Sequence, residues 1–220
     1  MLNKKVLLLL LFFLLIPSTY AHQPRLVMDV NTTEENSIII KNPEVSQAFY
    51  GQLEGNPDYY KIDSDKPFKL YLNILVPNIP VENERRFSVK VTDSNKKQVM
   101  FLDGSKNEWK EFYEEFGGDS YLEGPEARLN VSAGTYLIKV YNSDNKGKYS
   151  LAVGEIESFP IDETLKTMLL LPVLKERFFN KPAYTGFLNL IGLFIFIPII
   201  IVIILAVVFY KLLKRFRRSN

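Results

Sequence analysis

The sequence contains no cysteine, one histidine (His22) and one tryptophan (Trp109) in 220 residues. Without thiols there is no disulfide framework, no thiolate metal site and no cysteine nucleophile, so an exported domain must hold together through its apolar core alone. Lipidation on cysteine is excluded as an anchor for the same reason. A single histidine rules out multi-histidine zinc chemistry and leaves only His22 for any Ser-His-Asp arrangement, and no Gly-x-Ser-x-Gly turn occurs. Hydrolysis would have to run on paired carboxylates, and no spacing among the Asp and Glu residues singles out a pair. The expectation is a protein that is not an enzyme.

Charge is missing from two stretches. The first is the 11-residue apolar run from Val6 to Ile16, which follows Lys4 and Lys5 and is closed by Pro17 and Ser18. Thr19-Tyr20-Ala21 then supplies small residues at the −3 and −1 positions, so the segment 1–21 is predicted to be a signal peptide cleaved after Ala21. The run is too short to cross ~30 Å of hydrocarbon. The second stretch is 182–210, which carries no charged residue; its last 24 residues, Phe187 to Tyr210, contain only Asn189 as a strongly polar group. A transmembrane helix is predicted over 182–210, with Gly192 tolerated and a kink expected at Pro198. No ionisable group lies inside it, which excludes a proton relay or ion pathway.

Acids are also absent after Glu176, whereas Lys211, Lys214, Arg215, Arg217 and Arg218 crowd the tail 211–220. This asymmetry predicts a single-pass protein of the cell membrane, with the tail in the cytoplasm and the N-terminal domain outside. The formal net charge of +2 hides an acidic outer portion: His22 to Asn180 holds 19 Lys and Arg against 25 Asp and Glu. The basic patch of a nucleic-acid binder is therefore lacking. The expected partners are the membrane itself and a surface glycan or protein.

Between Ile38 and Gly154 apolar residues recur with period two. Phe68, Leu70, Leu72, Ile74 and Val76 share one face; Phe87, Val89 and Val91 repeat the pattern, as do Tyr136, Ile138 and Val140, and Tyr149, Leu151 and Val153. Gly55-Asn56-Pro57-Asp58, Asp93-Ser94-Asn95, Asp103-Gly104, Ala133-Gly134 and the stretch 142–147 supply turns. About eight short strands predict an all-β, antiparallel β-sandwich over 22–156. Over 157–181 the period changes. Leu165, Met168, Leu169 and Val173 fall on one face of an amphipathic juxtamembrane helix, with Asp162 as its expected cap and Pro172 expected to split it into two pieces. That segment fits either the membrane interface or packing on the sandwich.

The closing section, Val131-Ser132-Ala133-Gly134-Thr135-Tyr136 and then Gly147-Lys148-Tyr149-Ser150-Leu151-Ala152-Val153-Gly154, resembles the last strands of bacterial pre-peptidase C-terminal-type domains. The resemblance implies a jelly-roll-like sandwich in which the aromatic after each glycine points into the core. The segments Ala21-His22-Gln23-Pro24-Arg25, Asn42–Gly51 and Leu75-Val76-Pro77 are similar to a family of uncharacterised bacterial membrane-anchored proteins, a likeness that implies architecture and no activity.

Three candidate sites remain. Cleavage after Ala21 would give His22 a free α-amine beside its imidazole, a bidentate chelate suited to Cu(II), with an Asp, a Tyr or Met28 completing the site. The stretch from Trp109 to Tyr121 breaks the alternation, and Trp109, Tyr113 and Tyr121 would form either a sugar- or peptide-binding platform or a lid on the sheets. Oxygen ligands at Asp58–Asp65, Asp93-Ser94-Asn95 and Asp119 would suit Ca²⁺ in sandwich loops.

Overall fold

The computed structural model describes residues 22–82 and 84–219; the predicted signal peptide, 1–21, lies outside them. The alternating segments form strands, eleven among the described residues: β1 (Gln23–Leu26), β2 (Ile38–Ile39), β3 (Gln47–Glu54), β4 (Asp58–Ser64), β5 (Phe68–Pro77), β6 (Ser88–Asp93), β7 (Gln98–Leu102), β8 (Lys110–Glu114), β9 (Asp119–Val131), β10 (Gly134–Tyr141) and β11 (Lys146–Val153). They build a six-stranded sheet in the order β1-β3-β11-β5-β9-β8 and a five-stranded sheet in the order β2-β4-β10-β6-β7. Leu70, Leu72, Ile74 and Val76 of β5 meet Val89, Val91, Ile138 and Val140 of the facing sheet, all fully buried. Gly134 and Gly147 make the turns into β10 and β11, and Tyr136 and Tyr149, two residues on, point into this core as expected.

The sandwich departs from the expected one in three respects. It has eleven strands rather than about eight. The short edge strands β1 and β2 run parallel to β3 and β4, so both sheets are mixed at one edge. The stretch from Trp109 to Tyr121, which breaks the alternation, is a hairpin: β8 is an edge strand paired antiparallel with β9 from Lys110↔Glu123 to Glu114↔Asp119. Its side chains are mostly exposed on both faces, so it carries no alternation to read.

The six-stranded sheet is covered on its outer face as well. Helix α1 (Ile161–Arg177) lies across it and buries Leu171, Leu174 and Lys175, while Phe178 and Phe179, just beyond the helix, join Leu75, Tyr121 and Ala152 in a second apolar cluster. This resolves the open reading of 157–181 in favour of packing on the sandwich. It also corrects the helix itself. Pro172 does not divide it: one helix runs from Ile161 to Arg177, with Leu171 and Leu174 buried on either side of the proline. Pro160, not Asp162, is the N-cap and makes no side-chain cap bond. Asp162 sits in the first turn, where its charge suits the helix dipole and pairs with Lys166. Of the face read as apolar, Met168 turns towards the sheet, while Leu165, Leu169 and Val173 are exposed.

Contacts at both ends fix α1. Arg25 of β1 pairs with Glu163 at 2.8 Å. At the other end Lys148 Nζ donates to the carbonyls of Arg177 and Phe178 and to Asn180 Oδ1, neutralising the unpaired carbonyls of the last turn. Arg177 also makes two bonds to Asp29, at 2.6 and 2.7 Å. The chain then turns through a short 3-10 segment, Ala183–Phe187, whose Gly186 lies against Leu171 and Pro172. Helix α2 (Leu190–Ser219) follows, so the start of the uncharged stretch belongs to the turn and the basic tail continues the helix. Within Leu190–Arg217 an 18-residue window reaches a mean hydropathy of 3.4, so the helix is long and apolar enough to cross a membrane.

Candidate functional site

Between α1 and the outer face of the six-stranded sheet lies a cavity of about 370 Å³. Strand alternation builds its floor. With Phe49 and Leu151 turned into the sandwich, their neighbours Ala48, Tyr50 and Ala152 face outward, and Leu75 and Tyr121 extend the same surface. Two alanines at the middle of that floor leave the space that bulkier residues would fill. Met168, Leu171 and Leu174 of α1 form the roof; Phe116 and Ile191, the latter in the first turn of α2, close one side. The size falls in the range of small-molecule sites.

Polar groups sit at the margins of this apolar space. At the β8–β9 hairpin tip, Lys175 Nζ donates to Asp119 Oδ2 and to the Gly117 carbonyl, with both charged side chains no more than 5% exposed. Lys181 Nζ reaches Asp119 Oδ1 at 2.8 Å, and Asn189 Nδ2 donates to the same Gly117 carbonyl. Burial pushes the Lys175 ammonium below its ordinary pKa, opposed by Asp119. Glu114 accepts the Phe116 and Gly117 amides, shaping the tip, and burial raises its carboxyl pKa. The Tyr50 and Tyr121 hydroxyls lie 3.2 Å apart, and burial drives both phenols upward. On the roof, the buried Thr167 Oγ1 has no hydrogen-bond partner among the described residues.

The residues singled out in the sequence divide among several places. Tyr121 is buried and lines the cavity. Trp109 is partly buried against the sandwich core, its indole donating to the Gly104 carbonyl and its ring lying over Gly124, where a Cβ would collide with it. Tyr113 is 60% exposed. The three therefore share no single surface, because Tyr113 and Tyr121 occupy opposite faces of the β8–β9 pair and Trp109 is turned to the core. Of the carboxylates considered for Ca²⁺, four are engaged: Asp58 by Tyr149 and Thr32, Asp63 by Lys61 and Thr135, Asp93 by the Asn95 and Lys97 amides, Asp119 by the two lysines; Asp65 is exposed in the bend after β4. Among the described residues no group of three or more His, Cys, Asp or Glu is placed to hold a metal ion.

His22 lines the cavity and its Nδ1 lies within hydrogen-bond distance of Ser46 Oγ. Nδ1 is the ring nitrogen that a chelate with the α-amine would use. Burial lowers the imidazole pKa from 6.5 to about 4. The folded state thus stays neutral where the unfolded chain takes up a proton, so this contribution is complete above pH 6.5 and is lost as pH falls towards 4. Between pH 7 and 5 the expected loss is about 2 kcal/mol. Asp58 and Glu114, with raised values, act with the opposite sign. Thermal unfolding of the full chain at pH 7 and pH 5 should show a steeper fall in wild type than in His22→Gln, and equal slopes would refute it.

Among solved structures, the chain is similar to the pre-peptidase C-terminal domain of a collagenase from Bacillus anthracis, with 16% identity over 57% of this chain and 98% of that one and a TM-score of 0.35. It is also similar to a β-glucosidase from Paenibacillus barengoltzii, with 10% identity over 64% of this chain and 14% of that one and a TM-score of 0.25. No family model matches the chain, and no curated protein matches it. The β-sandwich stands on strand order and register.

The groups that build the cavity were legible only in part. β5 and β11 are apolar on both faces, buried almost throughout from Leu70 to Pro77 and from Tyr149 to Val153, and near-continuous apolar runs mark strands covered on two sides. The alternation of their inward residues drew attention to one face alone, and the covered outer face was not read from it. Nothing in the sequence pairs Asp119 with Lys175, 56 positions apart.

Proposed function

We propose that this chain is a non-catalytic binding module, anchored by α2 and displayed outside the cytoplasm, whose site is the cavity beneath α1. The observation that carries the reading is the cavity itself: an apolar, roofed space with a few polar groups at its rim, built onto the face of the sandwich that touches the membrane-length helix. Its titratable rim groups hold one another in ion pairs and turns, the arrangement of structural groups and not of an acid and base aimed at a substrate. The topology rests on the five basic residues after Tyr210 and the acidic outer portion.

Two measurements test the reading. In nanodiscs, the full chain titrated with 1-aminoanthracene, a small uncharged dye that brightens in apolar cavities, should give a saturable rise above that of empty nanodiscs. Ala152→Phe, which fills the cavity floor, should abolish it; an undiminished rise in that variant would refute the site. Protease added to intact cells should digest the sandwich and spare an epitope on 211–220, and the reverse pattern would overturn the orientation. Copper at His22 would require Nδ1 to leave Ser46, and no observation favours it over the cavity.

A further inference from the structure

We infer that the occupant of the cavity is a long-chain acyl group drawn from the adjoining membrane, its chain on the Ala48–Ala152 floor and its carbonyl or carboxyl oxygen at Thr167 Oγ1. The inference rests on the binding reading above and names its ligand class.

Three observations converge on it. The walls are almost wholly hydrocarbon and aromatic, so a chain of methylenes gains burial along the full length of the space while a sugar or charged peptide would lose hydration without partners. One wall is Ile191, in the first turn of the helix that enters the bilayer, and the Ile191 amide faces the Phe116 carbonyl of the hairpin tip. The cavity therefore adjoins the level at which lipid tails begin, and a chain can pass between the two without crossing bulk water. The third is the Thr167 hydroxyl. A buried hydroxyl without a partner costs free energy in the empty protein, and this one lines the cavity on its roof. An acyl ester or carboxyl oxygen supplies the acceptor it lacks.

The acyl group has two sources, a free fatty acid or one tail of a phospholipid, and two probes distinguish them. The full chain in nanodiscs is irradiated with a diazirine-bearing palmitate or with a phosphatidylcholine carrying the same diazirine on one tail, and adducts are mapped by peptide mass spectrometry. Adducts are expected on 164–175 and on the β9 peptide containing Tyr121, competed by unlabelled oleate for the fatty-acid probe; the probe that labels identifies the source. Ala152→Phe and, in case that ring disturbs folding, Met168→Trp should each reduce these adducts at least about tenfold while leaving those on 192–210 unchanged. Thr167→Val should weaken labelling roughly three- to tenfold, the loss of one hydrogen bond, yet raise the melting temperature of the unliganded protein, which a merely structural threonine would not do. Adducts confined to 190–210, or surviving both cavity-filling variants, would overturn the inference. If they fail while the 1-aminoanthracene signal remains and is lost in Ala152→Phe, the acyl assignment falls and the binding site stands; loss of both signals removes both.

Discussion

Replacing Asp119 by alanine should destabilise the folded chain by about 3–5 kcal/mol, because it strands the Lys175 ammonium in an apolar setting. Lys175 and Asp119 are 2% and 5% exposed; the Gly117 carbonyl is the other acceptor at Nζ, and the Phe179 ring lies 5.5 Å away. For a domain of this size the change corresponds to a melting temperature lower by on the order of 10 °C. Removing both charges as Asp119→Leu with Lys175→Met should cost far less than the single change, since the desolvation penalty disappears with the pair. Lys181, 39% exposed, can turn to solvent, and Gly117 keeps its bond from Asn189. Calorimetry or thermal unfolding of the three proteins decides it. A loss below about 1 kcal/mol in the single variant would show that water reaches Lys175 and that the pair is not a buried one.

A second large effect is expected at the centre of the sandwich. Tyr149 is fully buried, tilted on Phe87 at 5.4 Å, and its hydroxyl donates to Asp58 Oδ2 at 2.6 Å while lying 2.7 Å from the Tyr60 hydroxyl. Its cross-strand partner is Gly51, where a Cβ would intrude on the Tyr149 ring. Tyr149→Ala should cost about 3–5 kcal/mol through the cavity it opens. Tyr149→Phe keeps the packing and removes the donor, leaving Asp58 with Thr32 alone, and should cost about 1–3 kcal/mol. Urea denaturation separates the two. Equal losses would mean that packing contributes little and the hydroxyl nearly everything, contrary to the geometry.

Both effects bear on what a sequence can reveal. Tyr149 was legible, since it follows a turn glycine at the inward phase of an alternating strand, and the resemblance of that hairpin to pre-peptidase C-terminal-type domains pointed the same way. The hydrophobic alternation of β5, β6 and β10 was equally plain, because one residue of slip would expose every core side chain. The buried face of helix α1 was not legible. Leu165, Leu169 and Val173 form the cleaner apolar stripe, but burial followed the face that could meet Phe178, Phe179 and the sheet, and that face includes a lysine. A lysine is buried only when a carboxylate awaits it, and Asp119 lies in a hairpin whose edge strand carried no alternation. His22 stood out for a possible chelate; its place at the cavity depends on β1 pairing parallel to β3, a contact that no local pattern announces.

The hairpin tip has a mechanical consequence. Lys175, Lys181 and Asn189, from three successive segments leading into the membrane-length helix, all fasten on Gly117, Gly118 or Asp119. A pull on that helix therefore enters the sandwich at one end of the β8–β9 ladder, which has five residue pairs and an unpaired outer edge. Tension applied there loads the short ladder from one end, while Lys148 of β11 holds the adjoining end of α1 to the centre of the sheet. Displacement of the loaded end draws Phe116 and Ile191 away from the cavity wall, so tension along the anchor would widen the cavity before it unfolds the domain.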